Sequence, residues 1–359
     1  MSDAITEFAR HHIVGRDIWT EENLPPDVFA AMGQAGLFRI GLPVEFGGTG
    51  GGYPAIAAAE QALVAACGVP GMGTIFGGHQ ITAQYYMVGY GSLAQRADYL
   101  PKLAAGTCTM AVAISEPEVG AHPKLLETTA HKTALGWRIG GRKAYVTNGP
   151  IADIFIVLAI TAVEAGRKRY SMFLVPRGAP GLEIHHAPTP AGMRPAGHVS
   201  LTLTDCVVGP DAMLGVADTA YEAMALGFRD AEDAVGNAGL IGKLHHILGL
   251  LAGPNPAHAT DDTAAELGTL YGLVAVAAAA VAAIVTASEA GAAASPRAQA
   301  ITIGMRHLAL EIVRRVRTLK REDLPRVDAL LASIEGGMNV ARGPRRARTI
   351  RLGREGIVE

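Results

Sequence analysis

Apolar and polar positions divide the chain into three stretches with different periods. From residue 1 to about 110 the spacing is helical. "PPDVFAAMGQAG" opens on Pro25 and Pro26 and closes on Gly36, as helices favour Pro at the start and Gly at the end. "GLPVEFGGTGGG" (41–52) reads as a glycine loop and "PAIAAAEQALVAAC" as a second helix. "GVPGMGTIFGG" (68–78) reads as loop, and "GSLAQRADYLPKLAAG" (91–106) as a short amphipathic helix broken near Pro101.

From about 111 to 216 the period changes to two. In "VSLTLTDCVV", Val199, Leu201 and Leu203 face one way and Ser200, Thr202 and Thr204 the other, the pattern of a half-buried antiparallel strand. "ADIFIVLAIT" and "YSMFLVPR" are apolar strand-like runs, and "GWRIGGRKAYVTNG" (136–149) suggests a hairpin about Gly140-Gly141. No helix-length segment separates these strands, which excludes a series of βαβ units. From 217 to 359 the helical period returns in long segments that predict antiparallel bundle helices, joined by the loop "GPNPAHATDD". The expected architecture is therefore α+β and multidomain. It has an α-helical N-domain (1–110), an antiparallel β-barrel-like middle domain (111–216) and a C-terminal four-helix bundle (217–359).

Composition narrows the function classes. The 359 residues are 49% hydrophobic and carry a net charge of -2, which does not favour nucleic acid as a partner. Three scattered cysteines form no metal spacing and no disulfide framework, so a reducing, cytoplasmic setting is expected. The N-terminal stretch is charged and lacks a signal-peptide core. Residues 267–287, "LGTLYGLVAVAAAAVAAIVTA", carry no charge and have the length of a membrane span. Their Ala content points instead to a buried bundle helix, because Ala is the best helix former and permits close packing.

Most chemical motifs fail on inspection. "GGTGGG" lacks the Lys-Ser/Thr of a phosphate loop, and the histidine pairs at 11–12, 185–186 and 245–246 point apart. The C-terminal arginines 342, 345, 346, 348, 351 and 354 fit a solvated or inter-subunit helix face. They also fit a phosphate-bearing ligand such as the tail of CoA or of a carrier protein. The informative segment is "AVAISEPEVG" (111–120), in which a small apolar strand ends in Ser115 and Glu116.

Taken with "YVTNG" (145–149), this segment resembles the acyl-CoA dehydrogenase family. Five blocks follow the family in order and spacing: "GLPVEFGGTGGG", "YGSLAQRADYLPKLAAGT", "AISEP", "KAYVTNGPIAD" and "FLVPRGAPGLEI…GMRPAGHVSLTLTDCVVGPDAMLG". The likeness runs from about residue 20 to 245 and then thins. It implies an FAD cofactor, with Ile114, Ser115, Tyr145 and Thr147 as binding residues: the two hydroxyls at the polar edge of the flavin ring and Tyr145 against its face. It implies α,β-dehydrogenation of an acyl-CoA or acyl-carrier-protein thioester, with electrons passed to an electron-transfer flavoprotein and the chain assembled as a homo- or hetero-oligomer, dimer or tetramer.

The base that removes the α-proton is a buried carboxylate in this chemistry. Glu232, ten residues before Gly242, ranks first; Glu355 in "RRARTIRLGREGIVE" follows, and Glu335 in "SIEGG" comes third, since Gly336-Gly337 match a family Gly-Gly loop. The departures are Glu118-Val119-Gly120-Ala121-His122 after "SEP", Asp233 in place of an Arg, and "AGPNPAHATDD" in place of a segment that grips the FAD diphosphate. They leave open a second reading, a non-catalytic or heteromeric partner subunit with an incomplete FAD site.

Overall fold

The computed structural model describes residues 2–253, 260–319, 324–340 and 342–356. The N-terminal third holds five helices: α1 (Ser2–His12), α2 (Pro26–Gln34), α3 (Gly52–Cys67), α4 (Pro70–Ile81) and α5 (Leu93–Ala105). Two short strands, β1 (Ile40–Gly41) and β2 (Gly50–Gly51), pair in parallel to close the glycine loop. α5 is not broken at Pro101; it runs through to Ala105 from a capping box made by Ser92 and Gln95.

The "GVPGMGTIFGG" segment is α4 rather than a loop, and it continues into a π-helical stretch over Thr82–Val88. Its glycines are explained by what they face. Gly73 and Gly77 of α4, with Gly239 from the C-terminal third, leave the space that the carboxyl group of Glu60 on α3 occupies. Glu60 is buried and its Oε2 has no hydrogen-bond partner. Burial pushes its pKa up to about 8, against the opposing pull of Lys243. A carboxyl at its ordinary value of about 4.5 in the unfolded chain and about 8 in the folded one contributes stability in full below pH 4.5 and loses it as pH rises through 8. The wild-type unfolding free energy is therefore expected to fall between pH 5 and 8 more steeply than that of Glu60→Gln, by about 2–4 kcal/mol over the window, with a matching steeper fall in melting temperature. Equal slopes in a thermal series would remove Glu60 as the cause.

The middle third is an eight-stranded sheet: β3 (Met110–Ala113), β4 (Thr129–Thr133), β5 (Gly136–Thr147), β6 (Ile154–Glu164), β7 (Arg167–Pro176), β8 (Leu182–Ala187), β9 (His198–Val208) and β10 (Met213–Leu214). The order is β10-β7-β6-β4-β5-β9-β8, with β3 beside β6. Most pairs are antiparallel; β3–β6 and β4–β6 are parallel, and among the described residues the two end strands do not pair to close a barrel. The hairpin expected at Gly140-Gly141 is absent. β5 is one long strand, and the turn lies earlier, between β4 and β5. Gly141 marks a register shift in the β5–β9 ladder and packs its backbone against Thr128, where a side chain would not fit. β9 buries Val199, Leu201 and Leu203 as its alternation predicts; a positive φ at Asp205 then shifts the phase, so that Cys206 and Val208 face inward.

The C-terminal third begins with a second π-helical stretch, Tyr221–Ala225, and continues into α6 (Leu226–Ala252). α7 (Asp261–Glu289), α8 (Pro296–Leu319), α9 (Pro325–Asn339) and α10 (Arg342–Glu355) follow. Most of the "GPNPAHATDD" connection, residues 254–259, lies outside the described residues. Gly336 and Gly337 sit inside α9 and form no loop, and "GREG" is the end of α10. α7 is long and apolar enough to cross a membrane, but Leu270, Val274, Ala277, Val281 and Ile284 pack into the main core. Its outer side leaves Tyr271 and Val276 exposed.

Candidate active site

The strand end that opens the site is held by a buried ion pair. The Glu116 carboxylate accepts from the backbone N–H groups of Glu127 (2.7 Å) and Thr128 (2.9 Å) and from Lys143 Nζ (3.0 Å). Lys143 also donates to the Ile114 carbonyl at 3.0 Å, and its side chain has no exposure. Burial works to raise the Glu116 pKa, but Lys143 and the two N–H donors outweigh it and the net shift is downward. Burial lowers Lys143 to about 8, with Glu116 pulling the other way. The pair is ionised at neutral pH, and it fixes residues 114–116 against 143–145.

This placement brings together the four cofactor candidates. The Ala144 N–H donates to the Ser115 carbonyl at 2.9 Å, so Ser115 lies beside Tyr145. Tyr145 holds a positive φ of 59° and is 68% exposed, an aromatic ring presented to the outside with no ring partner among the described residues. The backbone of Ile114 is occupied by Lys143, which leaves only its half-buried side chain for a ligand. Thr147 Oγ1 lies 3.0 Å from His198 Nε2, its register neighbour across β5–β9. His198 is buried, its pKa is lowered by desolvation, and its Nδ1 has no hydrogen-bond partner. A flat heteroaromatic ring needs a free hydroxyl, a polar edge and an open aromatic wall. Ser115, the Thr147–His198 pair and Tyr145 supply them, so the residues fit a flavin ring.

The second half of the site is built on the two π-helical stretches. A π-turn takes carbonyls out of the α-helical ladder. Here Tyr85 and Tyr90, from the first stretch and just after it, donate to the carbonyls of Met224 (3.0 Å) and Ala223 (2.6 Å) in the second. Tyr85, Tyr86 and Phe228 form an aromatic wall, with Tyr86 and Phe228 centroids 4.8 Å apart. The buried Tyr86 hydroxyl has no partner and lies within electrostatic reach of Glu232.

Glu232 is exposed on α6. Loss of hydration pushes its carboxyl up to about 7; Asp233 adds to the rise and Arg229 opposes it. Arg229 also acts on Tyr221, whose hydroxyl donates to the Ala121 carbonyl at 3.0 Å in the loop that follows Ser115. Tyr221 thus ties the start of the C-terminal helices to the loop that follows Ser115. The other two acids lie elsewhere. Glu335 is paired with Arg317 at 2.9 Å, and Glu355 is exposed at the end of α10. Asp233, which stands where the family has an arginine, is bound by Arg345 of α10 (3.1 Å) and Arg306 of α8 (3.4 Å).

Four residues of this neighbourhood are not read from the sequence: Lys143, His198, Tyr86 and Glu60. Lys143 left a trace as the first residue of the "KAYVTNG" block, and His198 because pairing "YVTNG" with "HVSLTL" places it opposite Thr147; Tyr86 and Glu60 left none.

Comparison with known proteins gives the family and the fold. Residues 1–107 match the acyl-CoA dehydrogenase N-terminal domain and residues 111–206 its middle domain. The chain is 32% identical over 250 residues to mitochondrial isovaleryl-CoA dehydrogenase of Oryza sativa subsp. japonica, covering 68% of this chain and 60% of that protein. It is 35% identical over 190 residues to L-prolyl-[peptidyl-carrier protein] dehydrogenase of Pseudomonas fluorescens, covering 52% of this chain and 50% of that protein. The alignments thus span about half to three-fifths of these curated relatives. In fold, butyryl-CoA dehydrogenase from Megasphaera elsdenii superposes with a TM-score of 0.83 at 18% identity, covering 98% of this chain and 96% of that one. From the matched domains, the order of elements and the shared strand end, the chain belongs to the acyl-CoA dehydrogenase family.

Proposed function

We propose that this chain catalyses α,β-dehydrogenation of an acyl thioester carried on CoA or on a carrier protein. The observation that carries the reading is Glu232, a carboxyl pushed up to about 7, one turn after Phe228 on α6, the helix that contributes Phe228 to the aromatic wall with Tyr85 and Tyr86. As a carboxylate it accepts the α-proton of the thioester, and partial desolvation raises its basicity toward that task. Tyr86 offers a buried hydroxyl donor beside it. Ser115 and Thr147 would hold the polar edge of a flavin and Tyr145 its face. FAD, when bound, supplies a two-electron acceptor for the β-hydrogen as hydride, and we infer an electron-transfer flavoprotein as the onward partner. The relatives act on acyl-CoA and on a carrier-bound prolyl group, and both thioester classes suit a site defined by a carboxylate and an aromatic wall.

The first test is the visible spectrum of the purified protein. Flavin bands near one per chain that bleach on adding an acyl-CoA or acyl-carrier thioester are the expected result. A protein that stays colourless with added FAD would end the reading for the isolated chain. It would favour the second reading, a partner subunit with an incomplete FAD site. The stretch "AGPNPAHATDD", which stands in place of the segment that grips the FAD diphosphate, is the observation behind that alternative.

We assign the uncovered side of α7, with Tyr271 and Val276, to contact with another subunit. Val276→Glu is expected to shift sedimentation toward a smaller species; an unchanged profile would place the contact elsewhere.

A further inference from the structure

A chamber of about 340 Å³ lies inside the C-terminal bundle, between α6, α8 and α10, open on one side. Its volume falls in the range of small-molecule pockets, about 300–1,000 Å³. Ala234, Ile284, Ile303, Leu310 and Met338 make its walls apolar. Its polar groups are unbalanced: five guanidiniums face it, from arginines 306, 342, 345, 346 and 348, against the carboxylates of Asp230 and Asp233. Those carboxylates are taken, Asp230 by Arg348 at 2.9 Å and Asp233 by Arg345 and Arg306. Arg342 and Arg346 remain exposed at the rim, without a carboxylate partner among the described residues.

Two of the lining residues carry a buried donor with nothing to bond. Asn237 is 6% exposed and its Nδ2 has no partner, and the buried Nε of Arg345 is likewise unpaired. A buried donor left unpaired is costly, and native structures seldom leave one without a water, ion or ligand to receive it. Every unsatisfied group named here donates, so the missing component is an acceptor, and the net positive charge makes it an anion. A bare inorganic anion would leave the aliphatic walls unfilled. From the apolar chamber, the orphaned Asn237 amide and the arginine rim, we infer a binding site for an aliphatic carboxylate.

The site does not depend on the proposed dehydrogenation. At 3.6 residues per turn, positions 230, 234 and 237 lie on roughly the opposite side of α6 from Glu232. One helix thus carries the chamber on one side and the candidate base on the other, and a ligand in the chamber would act on the base through α6.

Calorimetry on the full chain with decanoate, 1-decanol and inorganic phosphate tests this. Decanoate is expected to bind at one site, with decanol weaker by about tenfold or more, the worth of a charge-assisted hydrogen bond. Inorganic phosphate alone is expected to give no signal. The double substitution Arg342→Gln/Arg346→Gln changes only exposed side chains. It is expected to weaken decanoate about tenfold with an unchanged melting curve, and Asn237→Leu to weaken it by a similar factor. Equal binding of decanol and decanoate would overturn the proposal, as would affinity unchanged in the arginine variant. Displacement of decanoate by a saturating acyl-CoA would also overturn it, because the ligand would then occupy the thioester site. If the chain proves colourless and inactive but decanoate still binds, the dehydrogenase reading fails and the chamber stands.

Discussion

Glu232→Gln is expected to retain bound flavin and to lose turnover by about 10²–10⁴-fold, the usual worth of a positioned general base. The substitution keeps the shape of the side chain and removes the proton acceptor. Flavin content should not change, because the cofactor candidates Ser115, Tyr145 and Thr147 stand on the sheet and Glu232 on α6. The wild type should show kcat/KM rising with pH through about 7, since the base must be ionised and its carboxyl is pushed up to about that value. The rise is set first by desolvation and second by Asp233, so Asp233→Asn should move the pH profile toward lower values. Turnover that survives in Glu232→Gln with a normal profile would transfer the role to Glu355.

The largest stability effect is expected at Glu116. Glu116→Ala removes the acceptor for two backbone N–H groups and leaves the Lys143 ammonium buried without its counter-charge. Breaking one side of a buried pair costs about 3–5 kcal/mol, a large share of the roughly 5–15 kcal/mol that holds a domain together. Removing both charges, as in Glu116→Leu/Lys143→Met, should cost markedly less than the sum of the single changes, because no charge is then stranded. Additive losses in the double variant, read by denaturant melts, would mean that the pair is not coupled as its 3.0 Å separation implies. The single variant should also lose flavin affinity, because the pair fixes the strand end that presents Ser115.

The sequence was legible where one side chain has one environment. The alternation of β9 identified its inward face as far as Leu203, and the apolar runs at 154–160 and 171–175 identified buried strands. It was misleading where glycine serves packing. Gly73 and Gly77 of α4 make room for the Glu60 carboxyl, which lies on another helix, and Gly141 for the close approach of Thr128. No local pattern carries that information. The same holds for charge. In sequence, Lys143 is a lysine within a strand and Glu116 half of a family motif; that each neutralises the other follows only from the fold. Glu232 was reached by resemblance, and its raised pKa by structure, because desolvation depends on helices distant in the chain.

The two π-helical stretches bear on how this protein can change over evolutionary time. Each widened turn holds one more residue than an α-helical turn, and each depends on the other. Tyr85 and Tyr90, in and just after the first stretch, find their acceptors in the Met224 and Ala223 carbonyls of the second. Deleting a residue from either stretch alone would strand polar groups on both sides. The spacing of both segments is therefore expected to be inherited together among close relatives, or lost together, even where their side chains drift.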